Sequence, residues 1–134
     1  MSVRGLDTNI LIRFLIADDP KQSITVRSLF QRGIREGKRF HVSTIVLCEI
    51  VWVLRTVYRF TRRETVLSLD SLLESSFLEI QDLDLVQHAL DDYREGRADF
   101  ADYLIGCQNR RAGCTDTLTF DSDLASSPGF ALLS

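Results

Sequence analysis

The chain has 134 residues, about one domain by the usual span of roughly 100–200, and its 45% apolar and 26% charged residues exclude a disordered chain. Its net charge of −3, from 16 basic and 19 acidic residues, argues against a domain that clings to nucleic acid through bulk basicity. A cluster of carboxylates at one site would account for such a deficit.

Ser2–Leu6 reads as a short first strand, and Ile10–Ile16 as a short helix after an Asp-Thr-Asn turn. Pro20 suits the first position of a helix running to about Glu36, stopped by Gly37. Phe40–Val42 is a candidate strand, followed by an apolar helix from Thr44 to about Tyr58. Thr61 and Glu64 form a capping box that opens a helix to about Glu74. Phe77–Ile80 is either a strand or the apolar tail of that helix. Leu83–Arg94 is a helix closed by Gly96, Ala98–Arg111 another stopped by Gly113, Thr115–Phe120 a strand, and Phe130–Leu133 an edge strand. Strands alternating with helices predict an α/β domain with a mainly parallel sheet and helices on both sides. No linker, repeat or low-complexity stretch interrupts it, so a single domain over 1–134 is expected. The apolar runs Ile45–Cys48 and Ile50–Leu54 fall far short of the ~20 residues a membrane span needs, and MSVRGLDTN holds no signal-peptide core. Cys48, Cys107 and Cys114 form no CxxC pair, which speaks for small buried thiols in a reducing cytosol rather than zinc or disulfides.

Ligands of parallel sheets bind beyond the carboxyl ends of the strands, and several acids fall there. Asp7 follows the first strand in Leu6-Asp7-Thr8-Asn9; one of the three caps the next helix, leaving another free for a ligand. Glu49 has Ile45, Val46, Trp52 and Val53 as its helical neighbours. An ionised carboxylate in apolar surroundings costs several kcal/mol unless it is paired, metal-bound or at a water-reaching rim. Asp99 and Asp102, three apart, project from one helix face; they either favour the positive helix end or share a cation. Asp121 and Asp123 follow a strand, as turn or cap residues or as ligands. Oxygen-only sets of this kind suit Mg²⁺ or Mn²⁺. His41 and His88 lack a pairing that favours zinc and read as surface or rim residues.

LDTNILIR near the N-terminus, a Glu in an apolar helix after Ser43-Thr44, ADFADYLIG, and LTFDSDL together resemble the PIN-domain nucleases, most closely the toxin ribonucleases of VapBC-type toxin–antitoxin pairs. The resemblance spans essentially the whole chain, and its specificity lies in the order and spacing of the motifs. It implies a three-layer α/β/α sandwich with a parallel sheet, a homodimer, and Asp7, Glu49, Asp102 and Asp121 as the catalytic, metal-holding acids. Asp99 and Asp123 match accessory acids, and Thr8, Asn9 and Thr119 match polar residues that hold the acids or a water. The implied activity is hydrolysis of RNA with one or two Mg²⁺ or Mn²⁺ ions, leaving a 5′-phosphate, in the cytoplasm, with a small antitoxin that inserts an arginine or an apolar helix and with no membrane partner.

Arginines are candidates for flanking phosphates: Arg13 and Arg97 first, with Arg59, Arg62, Arg63, Arg110 and Arg111. A phosphohydrolase with an aspartyl-phosphate intermediate would need a second acid where Asn9 stands and a later lysine, yet Lys21 and Lys38 are the only lysines; a receiver domain lacks the same lysine. The remaining alternative is a PIN-like module that binds RNA or a peptide without cutting.

Overall fold

The structure is a computed structural model and describes residues 3–134; Ser2, where the first strand was expected to begin, lies outside the described residues. The chain forms two compact units, residues 1–81 and 82–134.

The first unit holds β1 (Arg4–Gly5), α1 (Thr8–Leu15), α2 (Pro20–Arg35), β2 (Phe40–Val42), α3 (Thr44–Thr56), α4 (Arg62–Leu73) and β3 (Leu78–Ile80). Its strands are ordered β1-β2-β3 and all pair in parallel, Arg4 opposite Phe40 and Phe40 opposite Leu78. The Phe77–Ile80 segment is therefore a strand, fixed by pairing with a distant partner rather than by its own pattern. Local signals set the helix starts. The Asp19 side chain accepts from the Gln22 N–H at 3.1 Å just ahead of Pro20. Ser43 accepts from the Val46 N–H at 3.3 Å, and Thr61 and Glu64 bond reciprocally at 3.1 and 2.9 Å. Leu11, Phe30, Val42, Leu47, Ile50, Leu54, Leu69 and Leu72 are 0–2% exposed and build the core. The Phe30 ring lies 5.1, 5.2 and 4.9 Å from those of Phe14, Phe40 and Phe77.

The second unit holds α5 (Leu83–Glu95), α6 (Phe100–Arg111), β4 (Thr117–Thr119), α7 (Ser122–Ala125) and β5 (Phe130–Leu132). β4 and β5 pair in parallel, Thr117 opposite Phe130. Val86, Ala89, Leu90, Tyr93, Phe100, Tyr103 and Leu104 are buried. α6 begins at Phe100 rather than Ala98 because Asp99 occupies the cap position. β4 is shorter than Thr115–Phe120 because Asp121 already caps α7. Cys107 is buried and Cys48 partly so, as small apolar residues would be, whereas Cys114 is exposed just past the end of α6.

Candidate functional site

In the first unit, β1 and the loop after it deliver Asp7 to the N-cap position of α1, where its side chain makes no capping hydrogen bond. Thr8, 6% exposed, donates its hydroxyl to Glu49 Oε1 at 3.2 Å. The start of α1 and the middle of α3 are thus tied together through an acid. The expectation of apolar surroundings for Glu49 is corrected here. Leu47, Ile50, Val51 and Leu54 form the buried face of α3, while Glu49 is exposed between Ile45 and Trp52, themselves 71% and 63% exposed. A helix apolar on all sides ordinarily reads as buried all round; this one is buried on one side only. The Glu49 charge is therefore hydrated, and its hydrogen-bond partner is a hydroxyl rather than an arginine.

In the second unit, Asp99 caps α6 and its N–H donates to Asp102 Oδ2 at 3.2 Å. Thr119 Oγ1 accepts the Asp121 N–H at 3.0 Å, and Asp121 Oδ1 accepts the N–H groups of Asp123 and Leu124 at 2.9 and 3.3 Å. Asp123 itself is exposed. Burial, together with the negative charges of Asp99 and Asp121, pushes the Asp102 carboxyl above the usual carboxylate range, against the lowering effect of its bond from the Asp99 backbone. Asp99, Asp102 and Asp121 thus serve helix starts, as the capping reading expects, and the charges of Asp99 and Asp121 bear on Asp102.

The bonds around Glu49, Asp102 and Asp121 engage one oxygen of each carboxylate and orient it. Such outer bonds are what aim ligating carboxylates. Among the described residues no three Asp, Glu, His or Cys side chains are gathered closely enough to cage a metal ion. The donors fit a hard cation in their chemistry, being all oxygen. A Mg²⁺-like ion needs no protein cage, since it keeps waters and relies on one or two carboxylates plus substrate phosphates.

Arg13 is held in a network that the sequence did not reveal. Its Nε donates to Gln22 Oε1 at 2.7 Å and its Nη1 to Asp18 Oδ1 at 3.2 Å and the Tyr58 hydroxyl at 3.4 Å, while Tyr58 donates to Asp18 Oδ2 at 2.7 Å. The bond to Tyr58 and the charge of Asp18 raise the Arg13 pKa further, so the guanidinium is permanently charged. Asn9 is exposed on α1, and Arg97 is exposed ahead of Asp99. Arg111 is paired with Asp84, and Arg55 donates to the Phe60 carbonyl at 2.8 Å. His41 bonds Glu79 at 3.1 Å at a rim position, and His88 is exposed.

A family model described as the PIN domain matches residues 6–128 of the chain. The VapC ribonuclease of Aquifex aeolicus (strain VF5) is 22% identical over 115 residues, covering 86% of this chain and 84% of that protein. Among solved structures, Mycobacterium tuberculosis VapC20, a sarcin–ricin loop cleaving toxin, is 21% identical with 96% of each chain covered and a TM-score of 0.41.

Proposed function

The chain belongs to the PIN-domain family, and from that premise we propose that it is a Mg²⁺- or Mn²⁺-dependent endoribonuclease, the toxin of a toxin–antitoxin pair. The observation that carries the reading is the set of exposed or half-buried acids, of which Glu49, Asp102 and Asp121 are each oriented through one oxygen by a hydroxyl or a backbone N–H. The resemblance of the chain to a protein named VapC ribonuclease supports the substrate class, and the antitoxin partner follows from the likeness of its motifs to the VapBC-type toxins.

In this reading Asp7, Glu49, Asp102 and Asp121 are the metal-holding catalytic acids, with Asp99 and Asp123 accessory to them. A divalent ion, when bound, lowers the pKa of water and stabilises charge on the attacking and leaving oxygens of a phosphodiester. The residues of the chain supply position. The Thr8 hydroxyl holds Glu49, the Asp99 N–H holds Asp102, and Thr119 holds the backbone that presents Asp121. Asn9 is at hand to orient the water. The guanidinium of Arg13, paired on one side with Asp18, and that of the exposed Arg97 donate to flanking phosphates. Water attacks the phosphorus, the 3′-hydroxyl leaves, and the 5′-phosphate stays on the downstream fragment. The working state is a cytoplasmic homodimer that a small antitoxin silences by covering the acids. No helix among the described residues is long and apolar enough to cross a membrane.

The test is incubation with a mixed RNA pool in Mg²⁺, with and without EDTA, followed by mapping of the ends. Cleavage that leaves 5′-phosphates, stops in EDTA and falls about 10²–10³-fold in Asp7→Asn is expected, in line with the loss of single electrostatic stabilisers elsewhere. Near-full cleavage by Asp7→Asn contradicts the assignment of Asp7 to the metal.

A further inference from the structure

An open groove of about 600 Å³ runs between α1 and α2 and begins at Asn9, two residues after Asp7. Its volume lies within the ~300–1,000 Å³ typical of sites for small ligands. Ile10 and the buried Val26 supply its apolar surface, and Arg13, Lys21 and Gln22 stand along it. Gln22 is preset. Its facing partner, the Arg13 Nε–H at 2.7 Å, can only donate, so the amide oxygen points at Arg13 and the NH₂ is turned away as a pair of donors. Arg13 is itself fixed by Asp18 and Tyr58, and none of its bonds uses Nη2. Asp19 caps α2 through Oδ1, which accepts the Gln22 backbone N–H. The side of the groove formed by Arg13 and Gln22 therefore offers donors.

We propose that the groove receives the base of a nucleotide flanking the cleaved phosphate, and that Gln22, backed by Arg13, selects keto bases over amino bases. The inference rests on the ribonuclease reading and deepens it. Guanine presents O6 and N7 as adjacent acceptors and uracil presents O4, whereas adenine and cytosine set an N6 or N4 amino donor beside their ring-nitrogen acceptors, and that amino group meets the Gln22 NH₂ donor to donor. Bases splayed out of single strands are read on their edges in this way, with a face resting on apolar side chains such as Ile10 and Val26. The Lys21 ammonium offsets the charge of the adjoining phosphate.

Gln22→Glu separates this role from a structural one. It keeps an acceptor for the Arg13 Nε–H and the backbone N–H that bonds Asp19, and it exchanges the NH₂ donor for an acceptor. A randomised single-stranded RNA library is incubated with the wild-type, Gln22→Ala and Gln22→Glu proteins. In Mg²⁺ the cut ends are sequenced; in EDTA the bound RNA is recovered and sequenced. The wild type should enrich guanine or uracil at one position beside the cut by roughly 3–10-fold, as one hydrogen bond allows. Gln22→Ala should lose that preference, and Gln22→Glu should turn it toward adenine and cytosine. Identical preferences in all three proteins overturn the role of Gln22. If nothing is cut but the bound RNA shows the preference and its reversal, the groove stands and the nuclease reading falls. Unselected bound RNA together with unselective cutting overturns the groove.

Discussion

Asp102 shows how a single side chain can serve a helix start and still stand in surroundings that oppose its charge. Its carboxyl accepts the Asp99 N–H, yet burial and the charges of Asp99 and Asp121 raise its pKa above the ordinary carboxylate value. A group whose folded pKa is raised stabilises the fold while protonated, and that contribution is lost as the pH climbs through the raised value. For Asp102 the sign is opposite to that of a salt-bridged aspartate. In EDTA, Asp102→Asn should therefore melt above the wild type at neutral pH. The gap should close as the pH falls through the window between the ordinary and the raised carboxylate pKa; a gap unchanged by pH contradicts this account. Mn²⁺ should reverse the order, raising the melting temperature of the wild type alone. The spacing of Asp99 and Asp102 was enough to foresee their mutual repulsion. Glu49 was a different matter. Its apolar neighbours in sequence suggested desolvation, but exposure is decided by which face of α3 meets other elements, and Ile45 and Trp52 are on the open side. The oxygen-by-oxygen bonds of Thr8 and Thr119, and the Arg13–Asp18–Tyr58 network, join residues far apart along the chain or depend on exact turn geometry, so no local pattern announces them.

Helix starts were the most legible elements because caps are local. Thr61 with Glu64, and Pro20 at the first helical position, stand in the structure as the sequence implies. Strands of two or three residues were less so, since their ends are set by partners and by neighbouring caps, as at β1 and β4. Gly96 marks the difference well. The sequence reads it as a helix stop, and it does sit at the end of α5. Its larger constraint is contact: a Cβ there would lie 1.9 Å from the Tyr103 hydroxyl and 2.8 Å from the Asp92 carbonyl oxygen. Tyr103 is 3% exposed and its hydroxyl accepts the Ala98 N–H at 3.3 Å, so it has little freedom to move. Gly96→Ala should cost about 1–3 kcal/mol, the range for overpacking, in denaturant unfolding. A midpoint equal to that of the wild type would show that α6 gives way without penalty.

Taken as a whole, a net charge of −3 sets a conflict of sign for the ribonuclease proposed above. In that reading the acids repel RNA until a cation intervenes, and two of the arginines are paired locally, Arg13 with Asp18 and Arg111 with Asp84. The alternation of short strands and helices with mainly parallel pairing was readable along the whole sequence, the strand pairs β1–β2, β2–β3 and β4–β5 are all parallel, and the pattern agrees with the PIN family match. The order of the acidic motifs pointed to the family, whereas the division into two compact units has no counterpart in composition, because no linker marks residue 81. A module that merely captures RNA or a peptide has no need of metal at these acids, so metal uptake separates the enzyme from that alternative. Calorimetric titration of the metal-free protein with Mn²⁺ should give saturable binding that weakens at least tenfold in Glu49→Gln, the scale on which even outer-shell changes act. No saturable uptake by the wild type, or uptake that Glu49→Gln leaves unchanged, would contradict the account.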